Sequence, residues 1–504
     1  MIPHAPILAI FLPLFAAFLM PIIGILSRKR GVNHAREWVA IAAVLAELVI
    51  VGSMLSEVLS GQIILYKLGN WDPPWGIALV IDGLGLFAAL IVSGISALIV
   101  GYSFVSMEKD TGLDQYYTLL MLMLAGMMGV VLTGDVFNLY VFFEIMSIAA
   151  YALVAFRRNW QSIEAGLKYL IIGSLGTSFI ILGVAFLYGL AGSLNIAHLA
   201  QNLPFLPATT LILPLGLFVI GLGIKIAMVP LHMWMPDAYQ AAPPPVAALF
   251  SGATATVGLY AMLRVVYMLF GAFGIGAMLA GLGLVTMVLG ALMALVQRDL
   301  KRLLAYSSIS QIGYVLAGVG LGTTLGIQGG LFHLLNNAIY KTMLFMIAGT
   351  VVYRVGTSNM DKLGGLWKNM PVTGALFGVG ALAISGVPPL NGFASKWTIY
   401  MAGVEAGQGG HWPGYAITVI ALITSALTLA YFLKAFSNIF LGQRPGHLAD
   451  VKESPRSMMF PIMLLGVLCV VFGILPQIGI DLVRPAQEAL MNSGGYISAG
   501  LGGM

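Results

Sequence analysis

The chain has 504 residues, of which 59% are hydrophobic and only 9% charged, and a formal net charge of +5. Soluble domains carry about 25% charged residues, so this composition excludes an ordinary soluble enzyme and points to a polytopic membrane protein. The positive balance is not a nucleic-acid signature, because it is segregated into alternate connections between apolar segments.

Fourteen apolar segments follow one another, near residues 5–27, 37–59, 80–106, 115–133, 136–156, 162–190, 208–240, 245–270, 275–297, 302–321, 325–354, 371–403, 413–440 and 457–480. A helix needs about 20 apolar residues to cross a bilayer, and nothing between these segments is long or polar enough to fold by itself. One membrane domain over 1–504 is therefore expected. The N-terminal MIPHAPILAIFLPLF has neither the basic stretch nor the small-residue cleavage site of a secretory signal, so the first span is expected to stay attached. Among the Lys and Arg residues outside the spans, only Lys67 and Arg484 fall in even-numbered connections or tails; the others, from Arg28 to Arg456, occupy odd-numbered ones. By the positive-inside rule the odd connections face the cytoplasm and both termini lie outside the cell membrane.

In chain order, the first residue that resists a bland reading is Glu47, midway along the second span. Pairing with another subunit, gating a cation and hydrogen bonding within the bundle all remain open for it. GQIILYKLGNWDPPWGIALV, between the second and third spans, alternates around a turn-prone centre and predicts a short hairpin on the outer surface. Asp82 and Asp237, near span ends, read as helix-terminus residues.

Glu144 in TGDVFNLYVFFEIMSIAAYALVAF lies about 13 Å of helix beyond Asp135, close to the bilayer middle. Charges at that depth cost at least about 2.5 kcal/mol and mark ion pathways. Lys168 begins the sixth span and is shallow enough to snorkel. Lys225 precedes Pro230 in GLGIKIAMVPLHMWMPDAY. Burial favours its neutral amine whereas a nearby carboxylate keeps the proton on, so a lysine facing Glu144 can be switched between the two. Arg264 and Lys434 sit near span ends and read as interfacial anchors. His333 and Lys341 occupy the eleventh span on a similar face, and an imidazole exchanges protons near neutral pH. Lys396 follows the Pro-Pro pair of ISGVPPLNGFASKWTIY and makes a terminus for a proton relay.

Segments 208–240 and 371–403 are too long for one straight crossing. They carry Pro230 and Pro236, and Gly386, Pro388, Pro389 and Gly392, so both are expected to be broken helices. Interrupted spans at matching places in two halves point to a transport site. The halves do echo each other: the breaks lie five spans apart, and GLYAMLRVVYMLFG (258–271) parallels LAYFLKAFSNIFLG (429–442). A five-helix unit crosses an odd number of times, so spans 4–8 (about 113–270) and 9–13 (about 275–442) form an inverted pair. Spans 1–3 (1–106) and span 14 (457–480) flank them. The single cysteine, Cys469, and seven histidines show no metal-ligand spacing. No cofactor, metal or redox centre is expected on this chain, and any redox chemistry belongs to other chains.

TGDVFNLYVFFE, GIKIAMVPLHMWMPDAYQAAPPPVAALFSG, RDLKRLLAYSSISQIGYVLAG, HLLNNAIYKTMLF and SGVPPLNGFASKW occur in an order, over roughly residues 80–440, that resembles the antiporter-like subunits shared by Mrp-type cation/proton antiporters, energy-converting membrane-bound hydrogenases and respiratory complex I. The first block is most similar to the D-type subunit of Mrp antiporters. The resemblance implies an all-α polytopic fold of 14 transmembrane helices, with two inverted five-helix repeats and broken helices 7 and 12. It also implies a mid-membrane axis of Glu144, Lys225, Lys341 and Lys396, with Lys168 a member and His333 beside it. Implied partners are the other hydrophobic subunits of one complex, the lipid bilayer, and H+ with Na+ as a second ion. Thr256 stands where many relatives have a lysine, and Asn337 where they have a second histidine, which directs the link between halves through water and hydroxyls. A free-standing 14-span substrate/proton exporter and a non-translocating scaffold subunit are the competing readings.

Overall fold

The computed structural model describes residues 1–31, 34–271, 274–410 and 413–502. Among the described residues thirteen helices are long and apolar enough to cross a membrane, and the remaining span, the twelfth, is split into Pro371–Ser385 and Asn391–Gln408. The chain is thus a multi-pass all-α membrane protein with fourteen spans where hydropathy placed them. The eighth span (Pro244–Leu269) and the tenth (Leu300–Gly320) are buried over nearly their whole length, with Thr254 and Arg302 the partly exposed positions. The first (Ala5–Arg30), the sixth (Trp160–Ala191) and the thirteenth (Gly414–Leu441) lie at the periphery.

The repeat is visible in the helices themselves. The fourth span (Leu113–Leu132) and the ninth (Gly276–Leu295) each have 20 residues, and the sixth (Trp160–Ala191) and the eleventh (Thr324–Val355) each have 32. Asp135 caps the fifth span (Val136–Val154) through the Asn138 N–H at 2.7 Å and forms an isolated bridge with Asn195. One repeat later, Asp299 caps the tenth span through the Arg302 N–H at 3.0 Å and bridges Asn359. Short π-helical stretches, Arg264–Leu269 and Ser437–Leu441, end the last span of both copies. Loss of the first cap is a direct test of its role. Asp135→Ala is expected to cost about 1 kcal/mol, while Asp135→Asn keeps the cap; thermal midpoints of the purified protein distinguish the two.

Both broken spans are broken. The seventh is helical over Ala208–Lys225 and again over Met235–Ala241. Between them Ala227 adopts a left-handed φ of 55°, which costs a non-glycine residue about 1–2 kcal/mol. The twelfth is interrupted between Ser385 and Asn391, with Gly386 at φ 79° closing the first half. The predicted hairpin pairs Ile64–Lys67 with Ala78–Ile81, Ile64 opposite Ile81 and Lys67 opposite Ala78. After the fourteenth span (Arg456–Ile474) the tail folds back as two further helices, Pro476–Met491 and Ser493–Gly500, which hydropathy alone did not reveal. Val483, Ala486 and Leu490 are buried, and Gly83 of the third span lies so near Pro485 that a Cβ there would collide with the Pro485 carbonyl.

Candidate functional site

Lys225 is the last residue of the first half of the seventh span, so the helix break presents its side chain to the fifth span. Its Nζ donates to Ser147 Oγ at 2.8 Å and to Tyr151 Oη at 3.3 Å. Glu144, Ser147 and Tyr151 follow the i, i+3, i+7 spacing of one helix face. Glu144 lies one turn before Ser147 on that face, but among the described residues it makes no ion pair. It is half-buried, and Phe137 and Ile148 on the same helix are exposed, so the fifth span carries the carboxylate at the flank of the chain. The backbone freed by the break finds partners. Trp234 Nε1 donates to Ile224 O at 2.8 Å while its ring stacks on Tyr169 at 4.1 Å. The Val229 N–H donates to Thr286 Oγ1 of the ninth span at 3.1 Å, and that hydroxyl donates to Leu282 O.

Lys396 stands just after the other break. It is buried, donates to Ser425 Oγ of the thirteenth span at 3.0 Å, and lies 4.4 Å over the Tyr314 ring. Ser425 also meets the hydroxyls of Tyr314 at 2.8 Å and Tyr400 at 2.6 Å. The two repeats therefore solve one problem alike: a lysine beside a helix break hydrogen-bonds a serine and faces a tyrosine ring, Tyr151 in the first copy at 5.8 Å. His333 links onward, with Ser395 Oγ at 3.0 Å from Nδ1 and Gln311 Oε1 at 3.1 Å from Nε2. Asn336 and Asn391 hold the second break to the eleventh span by a pair of 3.0 Å bonds.

Lys341 is fully buried between these clusters and donates to Leu304 O at 2.8 Å and to Ser307 Oγ. Beside Ser307, the Ser308 hydroxyl meets Ser251 Oγ of the eighth span at 3.0 Å. Thr256 donates to Gly252 O of its own helix, and Asn337 Oδ1 has no protein partner. The amines of 225, 341 and 396 all point into the bundle and onto hydroxyl groups.

Lys168 and Asp237 gain ionic partners the sequence did not show, and Arg264 departs from its expected placement. Lys168 is nearly half exposed and pairs with Glu164 at 2.8 Å and Asp237 at 3.0 Å, so it stands in an ionic girdle near the start of its span. Asp237 is in the first turn of its helix as expected, yet it also bridges Lys168 to Arg302. Arg264 is no interfacial anchor. It is 1% exposed and forms a two-pronged pair with Asp82 at 2.7 and 2.6 Å, because the third span brings Asp82 to the end of the eighth. Asp82 does cap the third span (Gly83–Ser106), through the Gly85 N–H. Sequence reasoning missed Ser147, Tyr151, Ser307, Gln311, Tyr314, Ser395 and Ser425. Only the first two carried a signal, their helical spacing from Glu144.

Fourteen spans, two broken at matching places, and buried lysines strung between them define an antiporter-like subunit of the kind found in Mrp and complex I-type membrane complexes. The family model described as "NADH:quinone oxidoreductase/Mrp antiporter, TM" matches residues 133–428, and the chain belongs to that family. It is 39% identical over 494 residues to a protein named NADH-quinone oxidoreductase subunit N from Desulforudis audaxviator, covering 94% of this chain and 96% of that one. It is 32% identical over 500 residues to the D-type subunit of the Na(+)/H(+) antiporter of Bacillus subtilis, covering 98% of each. Among solved structures it superposes on a chain of the Mrp complex from Dietzia sp. DQ12-45-1b with a TM-score of 0.89, 27% identity and 99% coverage of both. A chain of the membrane-bound sulfane sulfur reductase, an archaeal respiratory membrane complex, gives 0.88 at 33% identity, covering 98% of this chain and 99% of that one.

Proposed function

We propose that the chain translocates protons along the Glu144, Lys225, Lys341, Lys396 axis as one subunit of a larger membrane complex. The observation that carries this reading is that three buried lysines each meet a hydroxyl on a neighbouring span, two of them beside helix breaks. A hydroxyl both accepts and donates, so a lysine bound to one can exchange its proton without losing its partner. In the observed arrangement Lys225 rests on Ser147, one helical turn from Glu144. Movement of the carboxylate toward the amine favours the ammonium, and withdrawal frees the proton for Lys341 and then for His333 and Lys396.

The remaining assignments follow the same reading. The chain is one membrane domain, with flanking spans at 1–106 and 457–480 around repeats at about 113–270 and 275–442. It lies in the cell membrane with its odd connections in the cytoplasm and both termini outside. Its partners are other hydrophobic subunits, as the relatives' names and the neighbouring complexes suggest. The Bacillus subtilis relative's name favours Na+ as the second ion.

Glu144→Gln and Lys396→Ala, each in the whole native complex reconstituted into vesicles, test the axis. Both are expected to reduce proton flux, followed with an internal pH dye, by at least about 100-fold, with the complex still assembled on gel filtration. Wild-type flux in either variant would remove that residue from the path.

A further inference from the structure

Glu47 belongs to neither repeat, and the structure closes two of the three readings open to it. It is 0% exposed and enclosed by this chain's own atoms, so its side chain does not stand at a surface where a sister subunit would pair with it. Neither of its carboxyl oxygens has a hydrogen-bond partner among protein groups, so it is not a bundle hydrogen bond either. The inward stripe of the second span (Ala35–Gly52) reads Glu37, Ala40, Ala43, Val44, Glu47, Val51, which surrounds the carboxyl with methyl groups above and below. The first, third and fourth spans pack against that stripe. Their ionisable groups are Arg28 to Arg30 of the first, Tyr102 of the third, and Asp114, Tyr116 and Tyr117 of the fourth. All lie toward the Glu37 end of the second span, and Glu47 is about 15 Å further along the helix.

An ionised carboxylate in such surroundings is prohibitively costly, and a buried group in that position takes up a proton instead. We propose that Glu47 is a proton-holding carboxyl, neutral in the resting protein, which forms an ion site outside the lysine axis and is reached from the lipid side. Leu45 and Leu48 of the second span line an apolar groove of about 480 Å³ with Gly94 and Leu98 of the third span and Leu464 of the fourteenth; Glu47 is buried behind this lining and not part of it, so a reagent in the groove reaches the carboxyl only when the second span moves aside. That groove admits an apolar reagent and keeps a charged one out. The site gives the flanking spans a store for one proton that need not pass through either half-channel.

The experiment uses the native complex in lipid vesicles. Dicyclohexylcarbodiimide, which is apolar and reacts with protonated carboxyls, is expected to modify Glu47. The carboxyl O–H adds across one C=N bond, oxygen bonding to carbon and hydrogen to nitrogen. Acyl migration to nitrogen then leaves a stable N-acylurea with no group lost, seen as a mass increase on the Glu47 peptide. A water-soluble carbodiimide is expected to label the exposed Asp72 and spare Glu47. In infrared spectra, Glu47→Gln is expected to lose one protonated-carboxyl C=O band that shifts in heavy water. An unmodified Glu47 after treatment with the apolar reagent, or identical carboxyl bands in wild type and Glu47→Gln, would overturn the proposal. The labelling is read on the native chain and does not depend on the variant folding.

Discussion

Lys225→Ala is expected to abolish proton flux through the reconstituted complex, by at least about 100-fold, and to leave its subunit composition unchanged. Lys225→Arg should fail just as completely. A guanidinium keeps the charge and can reach the same hydroxyls, but it does not release its proton at any pH the protein meets. The pair of variants therefore separates two roles that alanine alone confounds. If the amine only supplies fixed charge to hold Ser147 and Tyr151 in place, arginine restores flux. If the amine gives up and regains a proton, arginine is as dead as alanine. Proton flux measured with a pH dye at a clamped membrane potential decides between them, and robust flux in Lys225→Ala would defeat the whole axis.

The second large effect concerns stability. Arg264 and Asp82 are both about 1% exposed and joined by two hydrogen bonds; Arg264 Nε also meets Tyr260 Oη at 3.2 Å, and its guanidinium lies 4.7 Å over the Tyr496 ring. Removing one charge strands the other. Asp82→Asn is expected to cost about 3–5 kcal/mol, although asparagine is itself a good cap, so the loss reports the pair and not the helix terminus. Replacing both, as Asp82→Asn with Arg264→Met, is expected to recover most of the loss, since a neutral pair leaves no buried charge. Thermal midpoints and detergent-extracted yield of the single and double variants form the test. A loss in the double variant equal to the sum of the two single losses would show that the two residues act independently.

The contrast between these residues shows what the sequence can and cannot reveal. Spans and breaks were legible because a bilayer imposes a length on apolar runs and proline removes a backbone donor, both strictly local facts. Lys225, Lys341 and Lys396 were legible for a related reason: a charge inside an apolar run is costly wherever the fold later puts it. Their partners were not. Ser307 and Ser425 are hydroxyls that helices tolerate at many positions, commonly bonded to their own preceding turn. Only tertiary packing selects the ones that meet a lysine. Arg264 was misplaced because its partner lies far back in the chain, at the start of the third span, and nothing near Arg264 announces it. Lys168 differs again, since its shallow position in the sequence already matched the ionic girdle in which it sits.

Thr286 gives the molecule a property that belongs to neither half alone. Its hydroxyl hydrogen is committed to Leu282 O, which turns a lone pair toward the Val229 N–H. The flexible elbow of the first copy is thereby latched to the opening rod of the second. Displacing that elbow moves the rod with it or breaks the bond, so the seventh and ninth spans are tied to each other at this point.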